Sequence, residues 1–533
     1  MTPATIEIFG HLFASAAEAM GTALQRTAFS PNIKERLDFS CAVFDGRGAL
    51  VAQASHIPVH LGAMPESVQA VLSRFREWRD GDLAVLNDPY LGGTHLPDIT
   101  MVSPVFVGDG PGGGRPEFFL ASRAHHADVG GMSPGSMPVS RELVQEGIII
   151  PPVLLRRAGR IVEPLLEIIL RNVRTPVERL GDIRAQMASH GVGARRLAEI
   201  VERHGPDEVR VHEEGLRAYA ERMTRAALSA IPDGTYAFED YLDDGGPPGP
   251  GLPAGPPILL RASLTLERGT LLVDFEGTGP PAAGSMNAVP SIARSAVLYC
   301  VRGLIADDVP VNAGTFAPVT VKVPPGSILD PPPGRAVAGG NVETSQRIVD
   351  VVLGALARVA PHLSPAASQG TMNNITFGGW DDARGRAFAH YETIGGGMGA
   401  SARGGGLSAV HVHMSNTRNT PVEALEHEFP VLVREYSIRR GSGGAGRFRG
   451  GDGIAREIRF LAPATVTLLS ERRVFAPWGT AGGGPGARGR NLLRRASGEE
   501  TDLGGKCQVA VEPGDSIRIE TPGGGGHGAL TPR

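Results

Sequence analysis

The glycines of this chain come in clusters, and the clusters decide what the rest of it can become. Of 533 residues, 73 are glycine and 43 are proline, the glycines at about double their usual share. They follow no three-residue period, which excludes a collagen-like helix. They sit between apolar runs rather than in a polar tract, so they describe a folded chain with many turns, not a disordered tail. Apolar residues make up 41% and charged residues 20%, which suits a protein with a large buried core. The length allows roughly two to four domain-sized units or one large body with insertions.

The net charge is −4 and no basic stripe stands out, so nucleic acid is not an expected partner. Three tryptophans and seven tyrosines give no stacking platform for bases. Cys41, Cys300 and Cys507 lie far apart without CxxC spacing, a usage that fits a reducing, cytoplasmic setting. The stretch Met1 to Met20 carries Glu7 and Glu18 and lacks a basic start before an apolar core, so no secretory signal is expected. No apolar run approaches the ~18 residues of a membrane span.

Ile6, Phe9, Leu12, Phe13, Ala16, Met20 and Leu24 recur at three- and four-residue spacing and predict an amphipathic helix over 4–28. Residues 39–45 alternate like a strand, turn at Asp45-Gly46, and return through Ala49 to Ala52. A helix is expected from Met64 to Trp78 and a short buried strand from Leu83 to Leu86. Ile99 to Val107 and Glu117 to Arg123 are apolar runs separated by Gly/Pro-rich residues 108–116, a hairpin with a loose tip. Long helices are expected at 176–204 and 207–231. After Pro232-Asp233-Gly234 come strands at 236–242, 258–265 and 271–276, with a Pro/Gly loop at 247–257, then helices at 290–305 and 343–359. From Ala387 the chain is β-rich. The expected class is α+β: a large multi-lobed body with a helix-and-hairpin N-terminal half and a β-rich, glycine-rich C-terminal half. The expected regions are 1–232, 233–365 and 366–533.

Two segments carry ligand-type residues: Asn87 to Asp98, which ends in His95-Leu96-Pro97-Asp98, and Arg123 to Gly131, which contains His125-His126-Ala127-Asp128. They flank the open ends of the hairpin. With the tip centred between Pro111 and Gly112, Val107 faces Pro116 and Asp98 faces His125. Directly opposed side chains share a face, with Cβ atoms ~5 Å apart. His95 lies three residues upstream on a Pro-containing turn that can curl back. Two imidazoles and a carboxylate suit Zn²⁺, Mn²⁺ or Fe²⁺ and leave positions open for water. Glu35 or Asp38 could complete the set. His126 should point to the opposite face, a position for a supporting or substrate role. The plainer alternative is a pair of histidines bonded to loop carbonyls.

Other matches carry less. Gly131-Met132-Ser133-Pro134-Gly135 fits G-x-S-x-G, but the oxyanion hole of that elbow needs the N–H of the residue after the serine. Pro134 has none. Gly441 to Gly446 fits GxGxxG, yet more turn residues follow where a helix should open. No P-loop occurs. His411-Val412-His413 could present two imidazoles on one strand face, or be two satisfied histidines. Glu392 precedes Gly395-Gly396-Gly397, an acid or base beside a backbone that a ligand could approach closely, or a tight bend. Asn416, Arg418 and Asn419 could hold an amide or carboxylate, and a loop network explains them equally.

Across nearly its whole length the chain resembles the hydantoinase B/oxoprolinase family. The motifs are RTAFSPNIKERLDFSCAVFD at 26–45, HIPVHLGAMP at 56–65, GDLAVLNDPYLGGTHLPDIT at 81–100, ASRAHHADVGGMSPGSMP at 121–138, NVETSQRIVDVVLGAL at 341–356, ETIGGGMGA at 392–400 and HMSNTRNTPVEALEHEFP at 413–430. The resemblance implies a B subunit that pairs with a larger ATP-binding A-type subunit and self-associates within that hetero-oligomer. Together they would open hydantoin, 5-oxoproline or lactam-type rings at the expense of ATP, with ATP and Mg²⁺ held by the partner. A related branch carboxylates ketones such as acetone. Its corresponding subunit resembles a metal carrier, with ligands falling on His95, Asp98, His125 and a glutamate matching Glu35. The partner would activate the ring amide by phosphorylation, metal-activated water here would attack it, and His126 or Asp128 would move the proton. A scaffold without chemistry is the remaining alternative.

Overall fold

The expected hairpin forms the middle of a seven-stranded sheet in the computed structural model, which describes residues 2–54, 57–60, 62–107, 115–246, 255–306 and 308–530. Its strands are β1 (Phe39–Asp45), β2 (Leu50–Gln53), β3 (Leu83–Leu86), β4 (Asp98–Val105), β5 (Phe118–His125), β6 (Val153–Arg157) and β7 (Arg160–Ile161), in the order β2-β1-β5-β4-β3-β6-β7. β4 and β5 pair antiparallel from Val105 opposite Phe118 to Asp98 opposite His125. The register counted from the sequence is therefore the register of the fold. The hairpin tip at 108–114 and the loop residues 247–254 lie outside the described residues.

Every residue of β1, β4 and β5 is buried, because both faces of the sheet are covered. On one face the helix Pro3–Thr27 lays Phe9, Phe13, Met20 and Leu24 against Phe39, Val43, Phe118 and Leu120, with Leu197 and Leu216 of the next two long helices behind. Thr2 caps that first helix by accepting from the Thr5 N–H. On the other face Met64, Val68 and Val71 of the helix Met64–Arg74 cover Ala42, Phe44, Val102, Phe119 and Ala121. This helix stops at Arg74, short of the expected Trp78. Phe75 is extended (φ −114°, ψ 111°), which sets its ring edge-on to Trp78 at 5.8 Å and lets Trp78 meet Phe119 at 5.5 Å. Packing overrides helix propensity there. Side chains alternate along a strand, so Ser40, Asp98, Thr100, Arg123 and His125 extend this same face, apolar in its middle and polar at one end.

A second sheet joins β8 (Gly234–Leu242), β9 (Ile258–Glu267), β10 (Thr270–Asp274) and β11 (Val319–Lys322). β9 alternates between buried and more exposed positions, and the helices Pro290–Arg302 and Ser345–Val359 cover its inner face. The turn before the second of these helices, Gly340–Thr344, is π-helical. The C-terminal third holds two antiparallel sheets around Ile375, Phe377, Val466 and Ile517. One of them contains β12 (Asn374–Asp381) and β13 (Arg386–Glu392). The class is α+β.

The C-terminal glycines do more than turn the chain. Extended segments lie side by side outside the strands: Gly524 N donates to Gly451 O, Gly451 N to Met398 O and Gly444 N to Gly524 O, at 2.8–2.9 Å. A Cβ on Gly524 would fall 2.0 Å from the Met398 carbonyl oxygen, and one on Gly450 would fall 2.0 Å from that of Gly524. These residues are glycine because backbones pack on backbones. The GxGxxG match at 441–446 belongs to this lattice, and no helix opens there. Among the described residues no helix is long and apolar enough to cross a membrane.

Candidate metal centre

The chain leaving β3 is shaped to return a histidine to the start of β4. Asn87 donates to the Leu96 carbonyl at 2.8 Å and accepts from the Ile150 N–H at 2.7 Å, pinning both ends of the loop. Asp88 caps the short turn Pro89–Leu91. Gly92 then takes φ 96°, backbone that favours glycine, and its missing side chain leaves room for Ala70 and Glu66. Asp98 N donates to His95 O at 3.1 Å, closing a tight turn that brings the His95 ring over the Asp98 carboxylate.

Two imidazoles meet one oxygen of that carboxylate. His95 Nε2 is 3.0 Å and His125 Nδ1 3.3 Å from Asp98 Oδ1. One donor atom from each of the three side chains lies within 4.8 Å of the other two, and all three residues are buried. The second carboxylate oxygen accepts from Thr94 Oγ1 at 2.9 Å. It also lies 3.4 Å from His60 Nε2 and 3.4 Å from Asn341 Nδ2. Asn341 sits in the π-helical turn and reaches His95 Nε2 at 3.0 Å.

The charge pattern follows from burial. Burial alone would push the Asp98 carboxyl up, but His95, His60 and the hydrogen bonds from His125 and His60 hold it well below the usual carboxylate range. Burial pushes His125 and His60 down, with Asp98 pulling both partly back. An ionised carboxylate beside imidazoles whose protonation burial disfavours, as at His125 and His60, is the state a cation needs. His95 Nδ1 and His125 Nε2, the outward ring nitrogens, are buried without hydrogen-bond partners. The nitrogen and oxygen donors suit Zn²⁺, Mn²⁺ or Fe²⁺.

A cavity of about 20 Å³ opens beside the cluster, room for one or two waters or a single ion. Asp38, His60, Asp98, His125, Asn341 and Tyr391 contribute its polar wall, and Ile57, Val59, Met372 and Met414 part of the rest. Burial pushes the Asp38 carboxyl up, against the pull of His125 and Arg36. Its backbone carbonyl accepts from His125 N at 3.0 Å. The Tyr391 ring stacks on His125 at 4.2 Å. Arg36, fully buried, donates to Tyr391 O and Thr393 Oγ1 at 2.9 and 2.8 Å.

The remaining sequence candidates lie elsewhere. Glu35 is half-buried at the end of the turn Pro31–Lys34 and does not line the cavity; the carboxylate beside the histidines is Asp38. His126 faces the helix Pro176–His204, its Nε2 2.9 Å from Gln186 Oε1. Asp128 accepts from the N–H groups of Gly130, Gly135 and Arg174 and from Arg174 Nη1, at 2.9–3.3 Å, and so organises the Gly-rich loop that holds Ser133. Glu392 pairs with Arg456 at 2.9 Å and accepts from Asn419 and Thr420. Burial pushes its carboxyl up, and Arg456, His390 and Arg36 more than reverse that. Gly395, Gly396 and Gly397 are packed against backbone or Gln369. Asn416 and Arg418 are exposed, while Arg418 N donates to Arg36 O at 2.9 Å. His411 and His413 are not on a strand: His413 takes φ 54°, and the rings part, His411 to Ser415 and His413 toward Tyr299. No local sequence pattern singles out His60 or Asn341. His60 lay in the quoted HIPVH motif, and its anchor, Ser40 Oγ at 2.8 Å from His60 Nδ1, is on β1.

The family model described as Hydantoinase B/oxoprolinase matches residues 2–530. The 5-oxoprolinase 1 of Arabidopsis thaliana is 42% identical over 552 residues, covering 98% of this chain and 42% of that protein. The chain thus spans about two fifths of the length of that relative. Among solved structures, an ATP-dependent caprolactamase from Pseudomonas jessenii aligns with TM-score 0.89 and 27% identity over 99% of this chain and 91% of that one. An acetone carboxylase in its nucleotide-free form aligns with TM-score 0.87 and 20% identity over 99% and 76%, a likeness of fold.

Proposed function

This chain belongs to the hydantoinase B/oxoprolinase family, and from that premise we propose that it is the metal-bearing B-type half of an ATP-dependent cyclic amide hydrolase. One observation carries the proposal: His95, Asp98 and His125 converge, buried, beside a cavity. The ring class follows the relatives, 5-oxoproline and a lactam, with hydantoins alongside. ATP and Mg²⁺ are assigned to a partner, because this chain has no P-loop and covers 42% of a 5-oxoprolinase relative. Self-association within that complex and a cytoplasmic setting belong to the same proposal.

His95, Asp98 and His125 would hold the cation, and Asp38 is the carboxylate placed to complete the set. A divalent cation there would supply Lewis acidity and lower the pKa of a water toward ~7. His60, Thr94 and Asn341 keep Asp98 and His95 aimed. Asp38 lines the cavity beside His125, which suits that ligand role; burial pushes its carboxyl up in the metal-free chain, and a cation would take the proton's place. His126, Asp128 and Glu392 lie outside the cavity lining and act as supports. Amide resonance makes unaided attack slow, and activation of the ring carbonyl by the partner's ATP removes that obstacle.

The test is chelation of the purified two-subunit complex, followed by add-back of Zn²⁺, Mn²⁺ or Fe²⁺ and assay of ring opening and phosphate release on 5-oxoproline, hydantoins and lactams. Activity should vanish with the metal and return with one of them. Activity that survives complete metal removal, or a His95→Ala variant with full turnover, leaves a scaffold. Bicarbonate-dependent turnover with a carboxylated product would instead identify ketone carboxylation.

A further inference from the structure

The side chains of the cluster are not held alike. Thr94, His60 and Asn341 contact Asp98, and Asn341 also reaches His95. His125 meets Asp98 through Nδ1 at 3.3 Å, while its Nε2 is buried with no hydrogen-bond partner among the described residues. A histidine that binds a cation nearly always has its second N–H tied to a carboxylate, carbonyl or water, which sets the plane of its ring. His125 has a flat neighbour instead. The Tyr391 ring lies 4.2 Å from it, centroid to centroid, and 16° from parallel, and both residues line the same cavity. Tyr391 is fixed at both ends. Its hydroxyl donates to Asn374 Oδ1 at 2.9 Å, Asn374 Nδ2 donates to Glu343 Oε1 at 2.7 Å, and Met372 N donates to that same oxygen at 2.9 Å. At the other end Arg36 Nη1 donates to the Tyr391 carbonyl at 2.9 Å, and the guanidinium carbon lies 5.0 Å from the ring centroid. A buried aromatic ring tied at its hydroxyl and at its backbone is a rigid plate.

We propose that Tyr391 is the positioning residue of His125: its ring, tied through Asn374 to Glu343, holds the plane of the imidazole so that the nitrogen turned toward Asp98 meets a divalent cation. This rests on the metal reading of the cluster. Glu343 belongs to the same π-helical turn as Asn341, a kind of distortion that recurs at functional sites. The turn reaches the cluster by two arms: Asn341 directly to His95 and Asp98, and Glu343 by way of Asn374 and Tyr391 to His125. All three donor side chains are thus aimed from one turn.

Removing the ring and removing only its hydroxyl have different expected outcomes. Tyr391→Phe keeps the plate, whereas Tyr391→Leu and Tyr391→Met fill most of the space without one. Mn²⁺ affinity of the purified full chain is measured by titration calorimetry, with thermal unfolding of the metal-free proteins to establish that each is folded. Tyr391→Leu and Tyr391→Met should bind Mn²⁺ about 10–100-fold more weakly, and Tyr391→Phe should stay within about threefold of wild type. A purely structural Tyr391 would lower the unfolding midpoint without changing affinity, so a folded Tyr391→Leu or Tyr391→Met that binds like wild type overturns the proposal. Equal losses in Tyr391→Phe and Tyr391→Leu overturn it too, because the hydroxyl and not the ring would then matter. Wild type supplies a check that needs no variant: NMR of histidine-labelled protein should show the His125 ring protons shifted upfield by the Tyr391 ring, with and without Zn²⁺. Loss of that shift on loading means that His125 leaves the stack to bind, and the proposal fails. If wild type and His125→Ala bind Mn²⁺ equally, the metal reading fails first; if His125→Ala loses affinity and the Tyr391 substitutions do not, this inference fails alone.

Discussion

Buried carboxylates in this molecule have two kinds of surroundings, and single substitutions separate the jobs proposed for them. Asp98 is surrounded by His95, His125, His60, Thr94 and Asn341, groups that orient a donor set. Glu392 is surrounded by Arg456, Asn419 and Thr420, groups that neutralise a charge. Asp98→Asn should weaken divalent-metal affinity by more than about 100-fold, beyond the loss typical of a supporting residue. Glu392→Gln should leave metal affinity within about threefold and lower unfolding free energy by about 3–5 kcal/mol, because Arg456 is left buried and unpaired. Paired metal titrations and urea unfolding check both. A Glu392→Gln protein of normal stability that no longer turns over would return Glu392 to the chemistry.

At the scale of elements, what could be read beforehand is what local rules fix. An antiparallel pair with a known tip has one register, so Asp98 opposite His125 followed from counting. The pleat then sent His126 to the far face, where Gln186 receives it. His60 and Asn341 were not legible, because they reach the site from a short turn and a π-helical turn whose placement no local pattern fixes. Asp38 and Glu35 differ by less than one helical turn in sequence, and only the β1–β5 pairing decides which approaches His125. The glycine clusters looked like turns because a dense backbone lattice has the same composition. Gly524→Ala should lower stability by about 3 kcal/mol or more, since its Cβ has nowhere to go beside Met398 O; a denaturant midpoint like wild type would mean the lattice can yield. His190 clasps the hairpin from the long helix, its ring nitrogens 2.7 Å from Ser103 Oγ on β4 and 2.9 Å from Ser122 Oγ on β5. Burial pushes its pKa from 6.5 down to about 3. The unfolded chain therefore binds a proton that the folded chain refuses, so this contribution is intact above pH 6.5 and drains away as pH falls toward about 3. The loss is at most about 5 kcal/mol. His190→Gln should be less stable at pH 7 yet lose less between pH 7 and 4.5. Parallel stability curves for the two proteins would exclude this role.

At the scale of the whole molecule, the cavity is walled by three distant parts of the chain: Asp98 and His125 of the first sheet with Asp38 and His60 from the segments flanking its strands, Asn341 and Val342 from the π-helical turn, and Tyr391 with 414–417 from the C-terminal third. At about 20 Å³ it accepts water or an ion, not a five-membered ring, so a ring can enter only if one wall gives way. β4 and β5 are buried on both faces and Asn341 is locked to His95 and Asp98. The segment 411–420 has no regular secondary structure and carries exposed Asn416 and Arg418; Gln346 Nε2 on the Val412 carbonyl holds one end, Asn419 and Thr420 on Glu392 hold the other, and the ties between include Arg418 N to Arg36 O at 2.9 Å, Arg36 Nε to Arg418 O at 3.3 Å, and Thr417 Oγ1 to Thr393 Oγ1 at 2.9 Å. Its backbone lacks the continuous ladder that locks β4 to β5, and local opening follows such irregular stretches. Amides of 411–420 should exchange with deuterium at least about 100-fold faster than those of β4 and β5, and Thr393→Val, which removes one tie, should widen that gap while β4 and β5 are unchanged. Hydrogen exchange read by mass spectrometry decides it: equal protection of the loop and the hairpin would mean that the ring reaches the cluster by another wall.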